Sequence, residues 1–201
     1  MLASISPVGE ASRRQRWTIT VSAYLVMSTA AGVLWGAALG GLGALVGAGS
    51  WGRWTLVLLA SACLAGAALD TALAPASVPS WRRQVDERWL TTYRGWVYGA
   101  GFGFQLGLGV VTIVTSALTY VALLAALLTG SALQGAVVGA TFGLVRSVPL
   151  LLTAGVRTPP QLQRLHRRLE SAQQLVHRGA VGGQLTLGIV AAVTATRVGG
   201  L

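Results

Sequence analysis

The sequence has no lysine, one cysteine and only five acidic residues among its 201. One thiol, Cys63, excludes an internal disulfide and a metal site built on cysteines alone. Its apolar neighbours make it a small buried hydrophobe rather than a reactive group. Charged residues are 10% of the chain, against roughly 25% in a soluble domain, which excludes an ordinary water-soluble globule. Phosphate-loop, HExxH and Ser/His/Asp patterns are missing, which argues against a hydrolytic enzyme. His166 and His177 do not make a metal-ligand pattern. Neither a metal nor another cofactor is expected, and the chain reads as a non-enzyme.

What is present is long apolar runs. The chain is 53% hydrophobic, with mean hydropathy +0.64. The stretch 95–128 carries no charge at all, although about 20 apolar residues suffice to cross a bilayer. Its first half holds Gly95, Gly99, Gly101, Gly103, Gly107 and Gly109. Glycine at that density lets helices approach closely or lets one helix break. The pattern predicts an all-α integral membrane protein, a single membrane domain of five spans at about 18–48, 54–74, 95–128, 132–156 and 180–196. The third is long enough to be broken. Two basic amphipathic helices are expected at the cytoplasmic surface. The first lies in the loop 75–94, capped by Ser80 after Pro75 and Pro79, with Trp81, Val85, Trp89 and Tyr93 along one face. The second spans 159–178, with Leu162, Leu165, Leu169, Ala172 and Val176 as its stripe.

The formal charge of +10 comes entirely from arginine. A basic excess can mark a nucleic-acid binder, but these arginines cluster between apolar runs, as the positive-inside rule requires. With the N-terminus in the cytoplasm, Arg13, Arg14, Arg16, Arg82, Arg83, Arg88, Arg94, Arg157, Arg164, Arg167, Arg168 and Arg178 all fall inside. Arg53 and Arg197 fall outside, and Arg146 lies within a span. The expected place is the plasma membrane, multi-pass, with the basic loops against anionic headgroups. No nucleic-acid partner is expected.

The junction Tyr93-Arg94-Gly95, followed by Gly99-Ala-Gly-Phe-Gly-Phe-Gln-Leu-Gly107, resembles the cytochrome c biogenesis/DsbD-type transmembrane family over about residues 90–155. The resemblance lies where a basic loop leads into the second half of that membrane domain. It implies a scaffold shared with metal or anion exporters and with proteins that help mature periplasmic redox enzymes. Where the family carries its redox cysteine, this chain has Val110, Val111 and Thr112. Thiol electron transfer therefore does not carry over, leaving a degenerate redox protein as the third functional reading.

An ionisable residue at membrane depth is a functional-site hypothesis by default. Arg146 and Asp70 qualify, and they are expected to pair across a polar cavity, with Gln105 as the next partner of Arg146. Gly107, Gly109 and Pro149 are the expected helix breaks. The first functional expectation is a small permease or exporter for an ion or small anionic solute. The alternative is a non-catalytic subunit or maturation factor of a larger membrane complex, packing on a partner or on its own copy through glycine faces. Those faces repeat as Gly32, Gly36, Gly40 and Gly43 in the first span and Gly135, Gly139 and Gly143 in the fourth.

Overall fold

The computed structural model describes residues 5–72, 88–109 and 116–199, and among these it is all helix. A short helix α1 (Pro7–Ser12) precedes α2 (Trp17–Leu45). A single 3₁₀ turn, Ala48–Ser50, leads to α3 (Arg53–Ala72). Then come α4 (Trp89–Thr92), α5 (Gly95–Leu108), α6 (Leu118–Leu128), α7 (Ala132–Leu151) and α8 (Pro159–Gly199). Four of these, α2, α3, α7 and α8, are long and apolar enough to cross a membrane.

The molecule is built on α2. A Cβ on Gly32, Gly36, Gly40 or Gly43 would strike the backbone carbonyl of Gly139, Gly135, Ser131 or Leu127. Rising numbers on α2 meet falling numbers on α7, so the two helices are antiparallel. On another side of α2, Gly95 and Gly99 sit on Thr20, Gly103 on Tyr24 and Gly107 on Ser28, so α5 runs parallel to α2. Lipid tails are as apolar as leucine, so helices in a bilayer associate through close van der Waals fit rather than hydrophobic burial. Glycine every fourth residue supplies that fit. The large apolar side chains point outward instead: Val26, Leu34, Leu133, Val137 and Val145 are each more than 60% exposed.

The glycine faces expected to receive a partner or a second copy are thus closed on one another inside the chain. Alpha-helices α3 and α8 form a second antiparallel pair. Ala60, Cys63, Gly66, Ala67 and Asp70 of α3 are buried, and Gly188 of α8 lies against Cys63. Cys63 is fully buried. Cys63→Ala is expected to keep function and to cost about 1 kcal/mol or less, the value of one methylene-sized group, read as the melting shift in detergent.

The possible break in the third span is present, one expectation changes, and one lies mostly outside the described residues. The third span is two helices, α5 and α6. The separate helices expected at 159–178 and 180–196 are one 41-residue helix, α8. Gly179 lies between the two parts and Gly182 and Gly183 just inside the second, and no described neighbour lies within 4 Å of where a Cβ would sit on any of them. A glycine costs a helix only about 1 kcal/mol and does not stop it as proline does. The first amphipathic helix lies mostly outside the described residues, as do Trp81, Val85 and the cap at Ser80. Its tail, α4, sets Trp89 on Phe102, stacked at 6.1 Å between ring centroids.

At the end of the bundle where α2 begins, the polar N-terminal segment folds inward. Ile5 is fully buried in a cluster with Val21, Tyr24, Tyr98, Phe102 and Leu150. Glu10 is also fully buried. It accepts hydrogen bonds from Arg13 (2.8 Å), from Thr20 Oγ1 (2.8 Å) and from the Tyr98 hydroxyl. A buried carboxylate is tolerable only when paired and hydrogen-bonded, and Glu10 is both. Sequence reading missed it because only the fold brings Thr20 and Tyr98 to it.

Candidate functional site: a broken helix with charged ends

Helix α5 stops at Leu108, and Gly109 takes φ +77°, a left-handed conformation that side chains other than glycine resist. A Cβ there would also overlap the Phe142 ring. Helix α6 starts at Leu118. The two pieces follow α2 in one direction, from Gly95 beside Thr20 to the carbonyl of Leu127 beside Gly43. They lie along α2 as two segments running the same way. Fourteen and eleven residues are about 21 and 16 Å at 1.5 Å per residue, so neither alone matches a hydrocarbon core of about 30 Å.

Each broken end needs compensation. A helix leaves its last carbonyls and first amides without partners, with partial negative charge at its C-terminus and positive at its N-terminus. The fold answers each with the opposite charge. Arg146 of α7 donates from its guanidinium to the carbonyl of Gly109 at 3.4 Å. It lies over the Phe142 ring at 5.3 Å from the centroid. Asp70, in the last turn of α3, takes the start of α6. Its Oδ1 accepts from the Ala117 amide at 2.7 Å. Its Oδ2 accepts from Ser116 Oγ at 2.7 Å and from Gln184 Nε2 at 2.9 Å. Ser116 Oγ in turn accepts from the Leu118 amide at 3.1 Å. Asp70 is 4% exposed and Gln184 1%. The Gln184 Oε1 atom lies beside Gly66, where a Cβ would sit 3.1 Å from it.

The expected Arg146–Asp70 ion pair is therefore not made. Among the described residues the one salt bridge is Arg13–Glu10. Arg146 and Asp70 both serve the broken span, one at each end of the gap, as counter-charges to the two helix dipoles. Gln105 is half-buried on α5, one turn before the break, and bonds to neither. Of the expected breaks, Gly109 is one. Gly107 stays inside α5, where its missing side chain admits the Ser28 carbonyl and Ala31. Pro149 sits in the last turn of α7, which runs on to Leu151. Val110, Val111 and Thr112 lie outside the described residues. Two participants escaped the sequence reading. Ser116 looks like an ordinary membrane-helix hydroxyl, and Gln184 lies in a polar-to-apolar transition. The signal for Gln184 was its place on the glycine-flanked stretch Gly182-Gly183-Gln184, opposite nothing identifiable from sequence.

A further surface lies on α8. Residues 159–178 continue beyond the part packed on α3, about 30 Å at 1.5 Å per residue. They carry Arg164, Arg167, Arg168 and Arg178, and Leu175 and Val176 are 74% and 68% exposed. This basic segment is at the same end of the bundle as Arg13, Arg14 and Arg16, because α8 is antiparallel to α3. Arg53 and Arg197 are at the other end.

The chain is 32% identical over 119 residues to the methylamine utilization protein MauF of Paracoccus denitrificans, a match covering 59% of this chain. The matched stretch covers 43% of the relative's own length, so this chain corresponds to less than half of that protein. No protein-family model matches the sequence. No solved structure matches it.

Proposed function

We propose that this chain is a non-enzymatic accessory factor of a larger membrane system, held in the bilayer by five passages and engaging its partner through the basic arm of α8. The observation that carries the reading is that arm. It continues α8 past the part packed on α3, its arginines are exposed, and Leu175 and Val176 are largely uncovered by the described residues. The relation to a methylamine utilization protein supports service to a utilization system of that general kind. The glycine faces are spent on the chain's own packing, so the bundle stands by itself and the partner is met outside it.

The reading counts α5 and α6 as one crossing, which puts the N-terminus in the cytoplasm and the C-terminus outside. A phosphatase or fluorescent reporter joined after Leu201 is then active only in its exterior-reporting form. Cytoplasmic activity there overturns the five-passage topology.

A second reading, a permease for a small anionic solute, is favoured by Arg146 at the broken span. Discontinuous helices form the solute sites of many transporters, and arginine keeps its proton and offers five donors. One experiment separates the two. Replacing Arg164, Arg167 and Arg168 together by Gln should abolish the system's function in the host while leaving the melting temperature of the purified protein unchanged. Proteoliposomes of the unaltered chain should show no chloride, phosphate or sulfate flux above empty vesicles. Retained function in the triple variant, together with flux that Arg146→Leu removes, establishes the permease instead.

A further inference from the structure

At the end of the bundle where α2 turns into α3, an apolar groove of about 580 Å³ runs between α3 and α8. Its walls include Trp54, Val57, Leu64, Ala192 and Thr196, and Arg53 stands at its mouth. The groove is shallow-walled because α8 offers alanines there. It ends where Gly188 closes on Cys63 and Leu64; a Cβ on Gly188 would lie 3.1 Å from the Cys63 Cβ. From Arg53 to Leu64 is eleven residues along α3, about 16 Å. That is one half of a hydrocarbon core of about 30 Å, so the groove is one leaflet deep.

Its mouth is marked as the membrane–water boundary. Trp51 and Trp54 are exposed there, as tryptophan is at bilayer interfaces. The Arg53 guanidinium lies 5.0 Å from the Trp54 ring centroid and points at no carboxylate among the described residues. The described acidic residues, Glu10, Asp70 and Glu170, all lie away from this end of the bundle. Arg197, in the last turn of α8, adds a second cation at the same level.

We infer that the α3–α8 groove is a binding site for one anionic glycerophospholipid, its phosphate on Arg53 and one acyl chain laid against Val57, Leu64 and Ala192. An arginine fork matches a phosphate in two-pronged geometry. An apolar trough of one leaflet's depth accepts a chain and rejects a soluble anion. A zwitterionic lipid fills the trough equally well but brings no net charge to Arg53 and Arg197.

The test uses the full chain in mild detergent. Retention of phosphatidylglycerol and of phosphatidylcholine is measured by native mass spectrometry, with melting temperature read in parallel. Phosphatidylglycerol is expected to be retained about fivefold better, the preference that one arginine near an anionic membrane supplies. Arg53→Gln should remove that preference while still retaining lipid. Ala192→Trp, which fills the trough from an exposed position, should lose both lipids while melting normally without lipid. Glycerol 3-phosphate, a soluble anion without a chain, should neither bind nor raise the melting temperature. Equal retention of the two lipids, or a preference that survives Arg53→Gln, overturns the proposal and reduces the groove to ordinary solvation by the bilayer. Binding of glycerol 3-phosphate overturns it in favour of a soluble anion site.

Discussion

Gly139→Val should leave almost no folded protein in the membrane. Gly139 faces Gly32 so closely that even a methyl group would overlap the Gly32 carbonyl, and Gly36 Cα lies just beyond. Overfilling a packed interior costs about 1–3 kcal/mol where side chains can turn aside. Here the obstacle is the backbone of a 29-residue helix, so α2 and α7 have to separate along their whole seam. The expected cost is at least about 3 kcal/mol, the upper end of that range. It is read as lost monodisperse protein and as a fall in detergent melting temperature. Gly41→Ala, one position along from Gly40 but facing open space, is the control. It should be neutral or slightly stabilising, since alanine favours a helix by about 1 kcal/mol over glycine. If Gly139→Val melts like the parent, α2 and α7 do not pack as described.

The second large effect is expected at Asp70. Asp70→Ala leaves the Ser116 hydroxyl, the Ala117 amide and the Gln184 amide group without their acceptor. Each buried donor left unsatisfied costs about 1–3 kcal/mol, so the sum is expected to be about 3 kcal/mol or more. Asp70→Asn keeps one acceptor oxygen for the Ala117 amide and should recover part of the loss. Arg146→Leu differs in kind. It removes a cation from a helix C-terminus, a contribution of about 0.3–2 kcal/mol, and should lower the melting temperature modestly. Its functional effect depends on whether the broken span is the working part. Under the permease reading it abolishes flux and Arg146→Lys restores it only partly; under the accessory reading function persists. Equal melting of Asp70→Ala and the parent would remove Asp70 from its place at the start of α6.

The sequence by itself determined the membrane class. That judgement needs only the scarcity of charge and the length of apolar runs, both set by the price of a charge in hydrocarbon. Two helix starts also agree with the sequence reading, while the end of the fourth span and both bounds of the fifth do not. The second span expected at 54–74 is α3 at Arg53–Ala72, and the fourth begins at Ala132 as α7 does. The glycine spacing pointed to close helix packing, because a four-residue period fixes which side of a helix is smooth. Gly109 was legible as a break for the same local reason: glycine alone accepts its backbone conformation.

What only the tertiary structure decided was which partner each special residue meets. Glycine faces look alike in sequence, so nothing in their spacing tells an internal seam from an oligomer interface. The packing of α2 on α5 and α7 settled that. Arg146 and Asp70 looked like a pair because opposite charges in an apolar medium attract strongly. The broken span offered each of them a dipole end instead, Gly109 for one and the Ser116–Ala117 start of α6 for the other. A dipole end exists only where a helix stops, and it comes within reach of another helix's side chain only when the helices are assembled. Glu10 shows the same limit. Its type and position suggest a solvated tail, yet it is fully buried, because Thr20 and Tyr98, 10 and 88 residues away along the chain, converge on it in the fold.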